Sequence, residues 1–592
     1  MSKISRPIYE FDSFRLDTKE HVLLRNGQPV PLKPKVFDLL VQLVTNSGHI
    51  LMKDELMKQI WPDSYVEEHN LAVNISALRK VLAGDNEKLY IETVPRRGYR
   101  FVAEVRELWE ETIHSGFEQG NGLQSLASEA GSGKSIAVLP FKPIGKKASE
   151  DQYLGLGMAD ALITRISNVL EIVVRPTNAV RKYNDSTHDP VRVGSELKVA
   201  SVLDGSIQRS GHRVRVTVQL VNVADGATIW AEKFDEKFTS IFALEDSISE
   251  QVASALTLEL TQKLRNKLRK RYTENTVAYQ AYLRGRFLLS RRTAESYRSA
   301  IVYFKEAIKM DPEYALAYTG VADYYLLLSN LNLITPQESA AKAKDAILKA
   351  IELDDSIAEA HLSLAYLRAY SDWDWPDAER EFKRAIELSP NHAETRQFYS
   401  IYLRQQGRFE EGLAEIKLAQ VLDPVSPNIS VSLGSLLFFA RRYDEAIAQL
   451  RKTIALDPAF VMGHLYLGLT YQQTAMYDEA IASVKNALSL SDNLPEFRAQ
   501  LGFIYAVAGR QTEARAIVQE LLELLKQRYI APYNLAFLHA GMGDHDEAFF
   551  WLEKAYEERS CDLALLSVDP RLDDLRGDTR FMNFVRHVGL KS

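Results

Sequence analysis

The sequence predicts a multidomain chain in which a small α+β module is followed by an α/β domain and then by an all-α solenoid. Three observations carry this. Residues 8–105 run in the order strands, helices, hairpin, and residues 134–262 alternate strands with helices. From Ala378 onward, small residues return every 34 positions through Gly412, Ala446, Ala480, Ala514 and Ala548. At 592 residues the chain is also too long for one core, since chains beyond ~300 residues divide into domains.

Charged residues make up 26% and hydrophobic residues 46% of the chain, the balance of an ordinary globular protein. A net charge of −7 excludes a molecule that coats nucleic acid over its whole surface, but not one small basic module. Residues 1–105 hold 15 Lys and Arg against 14 Asp and Glu, whereas residues 69–103 hold 6 against 3, so the basic excess is local. Cys561 is the single cysteine, which rules out an intrachain disulfide and fits a reducing compartment. The N-terminal residues have no apolar run suited to a signal peptide, and no stretch approaches 18 apolar residues. A cytoplasmic chain with no membrane partner is expected.

In the first module, residues 11–24 alternate in strand fashion and Asn26-Gly27 is a hairpin turn. Pro34 opens a helix whose apolar face is Val36, Phe37, Leu39, Leu40, Leu43 and Val44, and Asn46-Ser47-Gly48 ends it. A second helix runs from Lys53 to about Ile60, before Trp61-Pro62. The third, Val66 to Ala83, buries Leu71, Ile75, Leu78 and Leu82 as one stripe. Its other face carries His69, Asn70, Val73, Asn74, Ser76, Ala77, Arg79 and Lys80, with no carboxylate. Amides and hydroxyls suit base edges, Val73 and Ala77 suit thymine methyls, and cations suit phosphates. A solvated helix face is the plainer alternative, although such faces more often mix Glu with Lys.

The module closes on residues 92–101, two short strands around a turn with Pro95, Arg96, Arg97 and Gly98, and Arg100 follows on the second strand. Taken alone, this hairpin is either a solvated turn or a device for meeting phosphates and narrow grooves. The ordering of elements, the run Leu32 to Leu40, the Leu78-Arg79-Lys80 helix end and Gly98-Tyr99-Arg100-Phe101 together resemble the winged helix-turn-helix domain of OmpR/PhoB-type and CadC-like bacterial regulators. The resemblance covers about 95 residues. It implies that the third helix lies in a major groove of double-stranded DNA and that a wing with Arg96, Arg97 and Arg100 reaches a minor groove. It also implies DNA contacts from His69, Asn70, Val73, Asn74, Ser76, Ala77 and Arg79. Family members often have arginine where this chain has His69, Ser76 and Ala77, so more of the affinity is expected from the wing.

Residues 106–133 read as a flexible linker rich in Gly, Ser, Gln and Glu. A CadC-like protein with a membrane anchor would carry its span there, and nothing apolar is present. Gly131-Ser132-Gly133-Lys134-Ser135 imitates a phosphate loop, but Ser128 stands where the motif needs glycine and the segment precedes its strand. Nucleotide binding is therefore not expected. The domain at 134–262 reads as strand, helix from about Gln152 to Leu170, strand, a helical stretch, three strands (Ser201–Arg209, Arg213–Val223, Thr228–Phe234) and a helix from Phe242 to Leu260. Through residues 135–141, 157–160, 203–206 and 229–232 it resembles the TolB-like domain found between winged-helix and repeat modules. Asp160 and Asp204 are read as cap or turn residues rather than a catalytic pair.

Within residues 274–592 the period of 34 holds from Ala378 onward, also marked by Ser400, Gly434, Gly468, Gly502 and Ala536 and by Pro390, Pro424 and Pro458. Before Ala378 the phase breaks, with one repeat marked by Ala300, Phe304, Ala307 and Pro312 and a longer, irregular one ending near Leu353. Small residues where two helices touch, with proline closing each pair, resemble the tetratricopeptide repeat, of which about eight are expected. In that fold Arg404, Asn428, Phe438, Gln472, Phe503, Tyr533 and Phe537 would line a concave groove suited to a peptide or protein partner. Any solenoid must also fill its inner face with something.

The combined reading is a one-component, sequence-specific transcriptional regulator acting as a possible homodimer on DNA, with the solenoid sensing a protein or ligand. No receiver domain precedes the first module, so control by phosphorylation of an N-terminal aspartate is not expected. A repeat scaffold whose winged helix mediates protein contacts is the alternative. No metal-ligand spacing, nucleophile elbow or cofactor motif is visible, so neither enzymatic activity nor a cofactor is expected.

Overall fold

The computed structural model describes residues 8–12, 14–17, 22–25, 28–30, 32–60, 68–83, 90–94, 97–103, 105–108, 134–145, 151–167, 169, 171–184, 188–237, 240–256, 261–262, 265, 268, 270–291, 294–330, 334, 336–491 and 493–590. The chain forms two compact units, residues 1–122 and 123–592. Several sequence features fall outside the described residues: Asn26-Gly27, Trp61-Pro62, Pro95 and Arg96, Gly131 to Gly133, and most of the linker.

The first unit runs β1 (Ile8–Phe11), β2 (Phe14–Asp17), β3 (Val22–Arg25), β4 (Gln28–Val30), α1 (Pro34–Thr45), β5 (Ile50–Met52), α2 (Lys53–Ile60), α3 (Glu68–Ala83), β6 (Ile91–Val94), β7 (Gly98–Phe101) and β8 (Arg106–Leu108). One sheet has the order β4-β3-β2-β1-β8, a second the order β5-β7-β6. Strand β8 pairs with β1 from Arg106 to Leu108, so the sheet extends three residues past the expected boundary at 105. Proline at the first position of α1 presets its φ where no helical N–H is needed. The core joins both sheets to the helices: Phe11 meets Phe101 edge-on at 5.0 Å, and Leu40, Leu56, Leu71 and Leu78 are fully buried.

The second unit begins with β9 (Ser135–Val138), β10 (Lys142–Pro143), α4 (Gln152–Ile166), β11 (Val173–Val174), α5 (Thr177–Val180), α6 (Pro190–Glu196), β12 (Ser201–Ser210), β13 (Arg213–Asn222), β14 (Thr228–Lys237) and α7 (Ile241–Leu256). Its sheet has the order β11-β9-β12-β13-β14, with β10 also on β12. Strands β11, β9 and β12 are parallel, and β12, β13 and β14 are antiparallel. Val214, Val216, Val218 and Leu220 face inward from β13 at the period of two that a one-sided sheet requires. Asp160 lies inside α4 and Asp204 inside β12, so neither is the cap or turn residue expected from sequence. Asp160 accepts a hydrogen bond from Thr177, and Asp204 sits near Lys142 and His188.

Among the described residues, eight helix pairs follow. They are α8 (Thr276–Ser290) with α9 (Ala294–Met310), α10 (Ala315–Asn330) with α11 (Pro336–Leu353), α12 (Ala358–Leu367) with α13 (Trp375–Leu388), and α14 (Ala393–Gln405) with α15 (Phe409–Leu422). The remainder are α16 (Pro427–Phe439) with α17 (Tyr443–Leu456), α18 (Val461–Gln473) with α19 (Tyr477–Leu490), α20 (Pro495–Val507) with α21 (Gln511–Leu525), and α22 (Pro532–Met542) with α23 (His545–Glu557). The 34-residue marks fall on these contacts. A Cβ at Gly468 would lie 2.6 Å from Val484 and one at Gly434 would lie 2.6 Å from Leu450, which only glycine avoids. Two short 3-10 turns, Cys561–Leu565 and Pro570–Leu575, and α24 (Thr579–His587) complete the unit.

The α/β domain and the first repeats share one core. Phe242 of α7 packs on Tyr279 of α8 at 4.9 Å. Buried Arg165 on α4 pairs with Glu245 at 3.0 Å and with Asp246, and Arg271 reaches Asp246 at 2.6 Å. Burial pushes the Glu245 carboxyl up, against the pull of Arg165. Arg175 is 1% exposed and donates to the carbonyls of Leu197, Lys198 and Leu422, tying the sheet to the fourth repeat. Burial lowers its pKa to about 10.

Candidate nucleic-acid interface

Helix α3 divides cleanly. Leu71, Leu78 and Leu82 are 0% and Ile75 1% exposed, because these positions recur on one side of a 3.6-residue helix. His69, Asn70, Val73, Ser76, Ala77 and Lys80 are exposed, and Asn74 and Arg79 are half-buried. Val73 is 51% exposed, an uncommon position for a β-branched apolar side chain and a fitting one for a methyl contact. Asn74 donates through Nδ2 to the Asn70 carbonyl at 2.9 Å.

The wing is the β6–β7 hairpin, with Val94 opposite Gly98 and Glu92 opposite Arg100. Arg97 is exposed at the turn, and its N–H bonds the Val94 carbonyl at 3.1 Å. Arg96 lies outside the described residues. A Cβ on Gly98 would come within 1.8 Å of the Leu51 carbonyl oxygen, so glycine is what lets β7 lie against β5. Ser47 Oγ donates to the Ala103 carbonyl at 2.9 Å, and the Gly48 N–H to the Phe101 carbonyl at 2.9 Å, which fixes that side of the wing to the end of α1.

Two of the expected DNA-contact arginines are engaged within the protein. Arg100 bonds Glu92 through Nε at 2.9 Å and Nη2 at 2.5 Å. Arg79 donates from Nε to the Ile91 carbonyl at 3.0 Å and from Nη2 to Thr93 Oγ1 at 2.7 Å. Sequence reasoning missed the parts played by Glu92 and Thr93. The Glu92–Arg100 pair follows from hairpin register, since pairing of Val94 with Gly98 places 92 opposite 100. The Arg79 contacts join elements more than ten residues apart and had no local signal.

The expected solenoid groove is different. Arg404, Phe438, Gln472, Phe503, Tyr533 and Phe537 are at most 9% exposed, and Asn428 is exposed. The chain's own C-terminal segment covers two of them, Tyr533 and Phe537. Tyr533 donates to Asp569 at 2.8 Å, and the Arg571 guanidinium lies 4.1 Å over the Phe537 ring while pairing with Asp569 at 2.6 Å. Trp375 Nε1 donates to the Val588 carbonyl at 2.8 Å, and Arg441 pairs with Asp573 at 2.7 Å. Arg404 is held from within the repeats, by Ser435 Oγ at 2.8 Å and the Phe439 ring at 4.6 Å. Leu563, Leu566, Leu572, Leu575 and Phe581 are fully buried. Open space remains instead as a cavity of about 450 Å³ between α4–α5 and the first repeats, lined by Asp160, Arg286, Phe287, Asp323, Glu359 and Glu394 among others. Burial pushes the Asp323 carboxyl up to about 6, although Arg286 lies 3.5 Å away.

Among the described residues no helix is long and apolar enough to cross a membrane, and no group of three or more His, Cys, Asp or Glu could hold a metal ion.

Residues 27–101 match the family model described as transcriptional regulatory protein, C terminal. Residues 132–251 match the second domain of HilA/YgeH-like transcriptional regulators. Residues 367–427, 431–496 and 533–560 match tetratricopeptide repeat models. The transcriptional regulator HilA of Salmonella typhimurium is 26% identical over 423 residues, 71% of either chain. A putative adenylate cyclase of Rhizobium meliloti is 30% identical over 233 residues, 39% of either chain. The transcriptional activator CadC of Escherichia coli is 35% identical over 104 residues, 17% of this chain and 20% of that one. With an OmpR/PhoB-type winged-helix domain that reads DNA and a tetratricopeptide solenoid for protein interaction, the chain is a transcriptional regulator of the one-component kind.

Proposed function

We propose that α3 lies in a major groove of duplex DNA while the β6–β7 turn, with Arg96 and Arg97, enters the adjacent minor groove. The observation that supports this most is the outward face of α3. It presents Asn70, Asn74 and Ser76 for base edges, Val73 and Ala77 for thymine methyls, and His69 and Lys80 for phosphates, without one carboxylate among the described side chains of that face. Arg79 adds positive charge on the flank, while Arg100 is paired with Glu92. Two copies of the chain on paired half-sites, in the cytoplasm, complete this reading.

The β–α–β run at residues 135–174 and the antiparallel strands after it support a TolB-like reading of the middle domain. Because the C-terminal segment occupies part of the inner face of the later repeats, a protein or ligand signal enters at the cavity beside α4 and the first repeats. Titrating the full-length chain against DNA recovered from cells tests the DNA part. Arg97→Ala combined with Lys80→Ala should weaken binding and lower the salt slope by about two phosphate contacts. An unchanged slope would show that neither cation meets the backbone.

A further inference from the structure

We infer that Arg79 is a positioning residue that fixes the wing to the recognition helix, so that the two reading elements engage DNA as one rigid body. The inference rests on the reading that both α3 and the wing touch DNA.

The sheet order β5-β7-β6 makes β6 an edge strand. An edge strand has outward carbonyls with no partner in the sheet, and it is the strand free to splay. Its inner neighbour β7 is held to β5 through Gly98 and to the end of α1 through Ser47 and Gly48. Strand β6 faces α3 instead. There the fully buried side chain of Ile91 sets its depth, and Arg79 supplies direction.

A guanidinium is a planar fork, and its donors have fixed angles relative to one another. Nε bonds the Ile91 carbonyl and Nη2 the Thr93 hydroxyl, two acceptors separated by one residue along β6. One such contact would leave the strand able to pivot, whereas two from the same plane fix its rotation as well as its distance. Thr93 stands next to Val94, whose carbonyl closes the turn holding Arg97. The aim of the turn therefore follows from Arg79. A lysine could not do this, because an ammonium is a point donor without a plane.

The sequence reading made Arg79 a DNA contact, and that role gives the competing outcome. The two are separable because Thr93→Val deletes the acceptor while keeping every charge and the β-branched shape. The probe is a duplex selected by the full-length chain from a random-sequence pool. Binding is measured over a range of salt, with hydroxyl-radical footprinting to report the minor groove and guanine methylation interference to report the major groove.

Thr93→Val should weaken binding about threefold to tenfold and erase most of the effect of a further Arg97→Ala, since contacting groups that act as a unit are non-additive. Minor-groove protection should fade while major-groove interference stays. Thr93→Ser, which keeps the acceptor, should behave as the unmodified chain, and Arg79→Lys should behave as Thr93→Val. The inference is overturned if Thr93→Val binds normally while Arg79→Ala lowers the salt slope by about one contact and leaves the Arg97→Ala effect intact. If no duplex is selected at all, the DNA-reading proposal itself fails.

Discussion

The winged helix and the solenoid place their sequence-expected contact residues in opposite ways. On α3 most of the expected residues face solvent, whereas in the solenoid six of the seven expected groove residues are at most 9% exposed. The difference lies in what covers each face. A helix on the rim of a small domain has one buried stripe, and its remaining surface is left over for function. A solenoid's inner face is concave, and here the chain's own C-terminal segment occupies part of it. For the later repeats, the inner face is thus a second core and not a vacant groove.

That contrast breaks most sharply at Asp569 and Arg571, which are 0% and 8% exposed. Burial alone would raise the Asp569 carboxyl, but Arg571 holds it below the usual carboxylate range. Arg571→Ala leaves that charge buried without its partner, so the second unit should lose about 3–5 kcal/mol in urea unfolding of the full chain. A loss below about 1 kcal/mol would mean that the segment is loosely held and the groove open. The pH dependence has a definite sign. A carboxyl depressed in the folded state stabilises above its unfolded value, and that contribution disappears as pH falls through the folded value. The pair's share of stability should therefore be level near neutrality and decline only below about pH 4.

Arg175 asks whether the middle domain belongs with the solenoid. It alone satisfies carbonyls at Leu197, Lys198 and Leu422 among the hydrogen bonds described for those groups. Arg175→Met keeps the stem and abandons the carbonyls, at a cost of about 2–4 kcal/mol. A single unfolding transition should become two as the domain and repeats separate, which differential scanning calorimetry would show.

The 34-residue period disclosed the repeats because each repeat solves the same local packing problem, and Gly434 and Gly468 are glycine for reasons confined to one helix pair. The α3 face was legible for a similar reason, since a stripe at i, i+4 and i+7 also exposes its complement. What stayed hidden depends on partners distant in sequence. Tyr533 meets Asp569 and Trp375 meets Val588, and no periodicity links them. Asp160 reads as a cap or turn residue in the sequence, but it occupies the interior of α4 and takes a hydrogen bond from Thr177. The cavity it lines needs α4, α8, α10 and α12 together, so composition along any one of them said nothing of it.

Gly98 tests the reading module without touching a charge. With the Leu51 carbonyl 1.8 Å from where a Cβ would stand, β7 must shift away from β5. Gly98→Ala should destabilise the first unit by about 1–3 kcal/mol and weaken DNA binding more than that loss explains. Comparing affinity with thermal stability of the same variant separates the two effects. Binding unchanged in a folded variant would remove the wing from the interface.

The smallest effect is expected at Arg100, where the comparison between exposed and engaged groups becomes finest. Arg100 and Arg97 lie three residues apart in the same hairpin. Arg100 is paired with Glu92 across the strands, whereas Arg97 stands exposed at the turn. A half-exposed ion pair contributes about 0–1 kcal/mol to stability, and a guanidinium already facing a carboxylate adds little net positive charge for a phosphate to meet. Arg100→Ala should therefore alter affinity less than Arg97→Ala in the same titration. Glu92→Gln should do the opposite and tighten non-specific binding by freeing Arg100. If Arg100→Ala proves the more damaging of the two, the pair must open on contact with DNA, and Glu92 is then a gate on the wing rather than a brace within it.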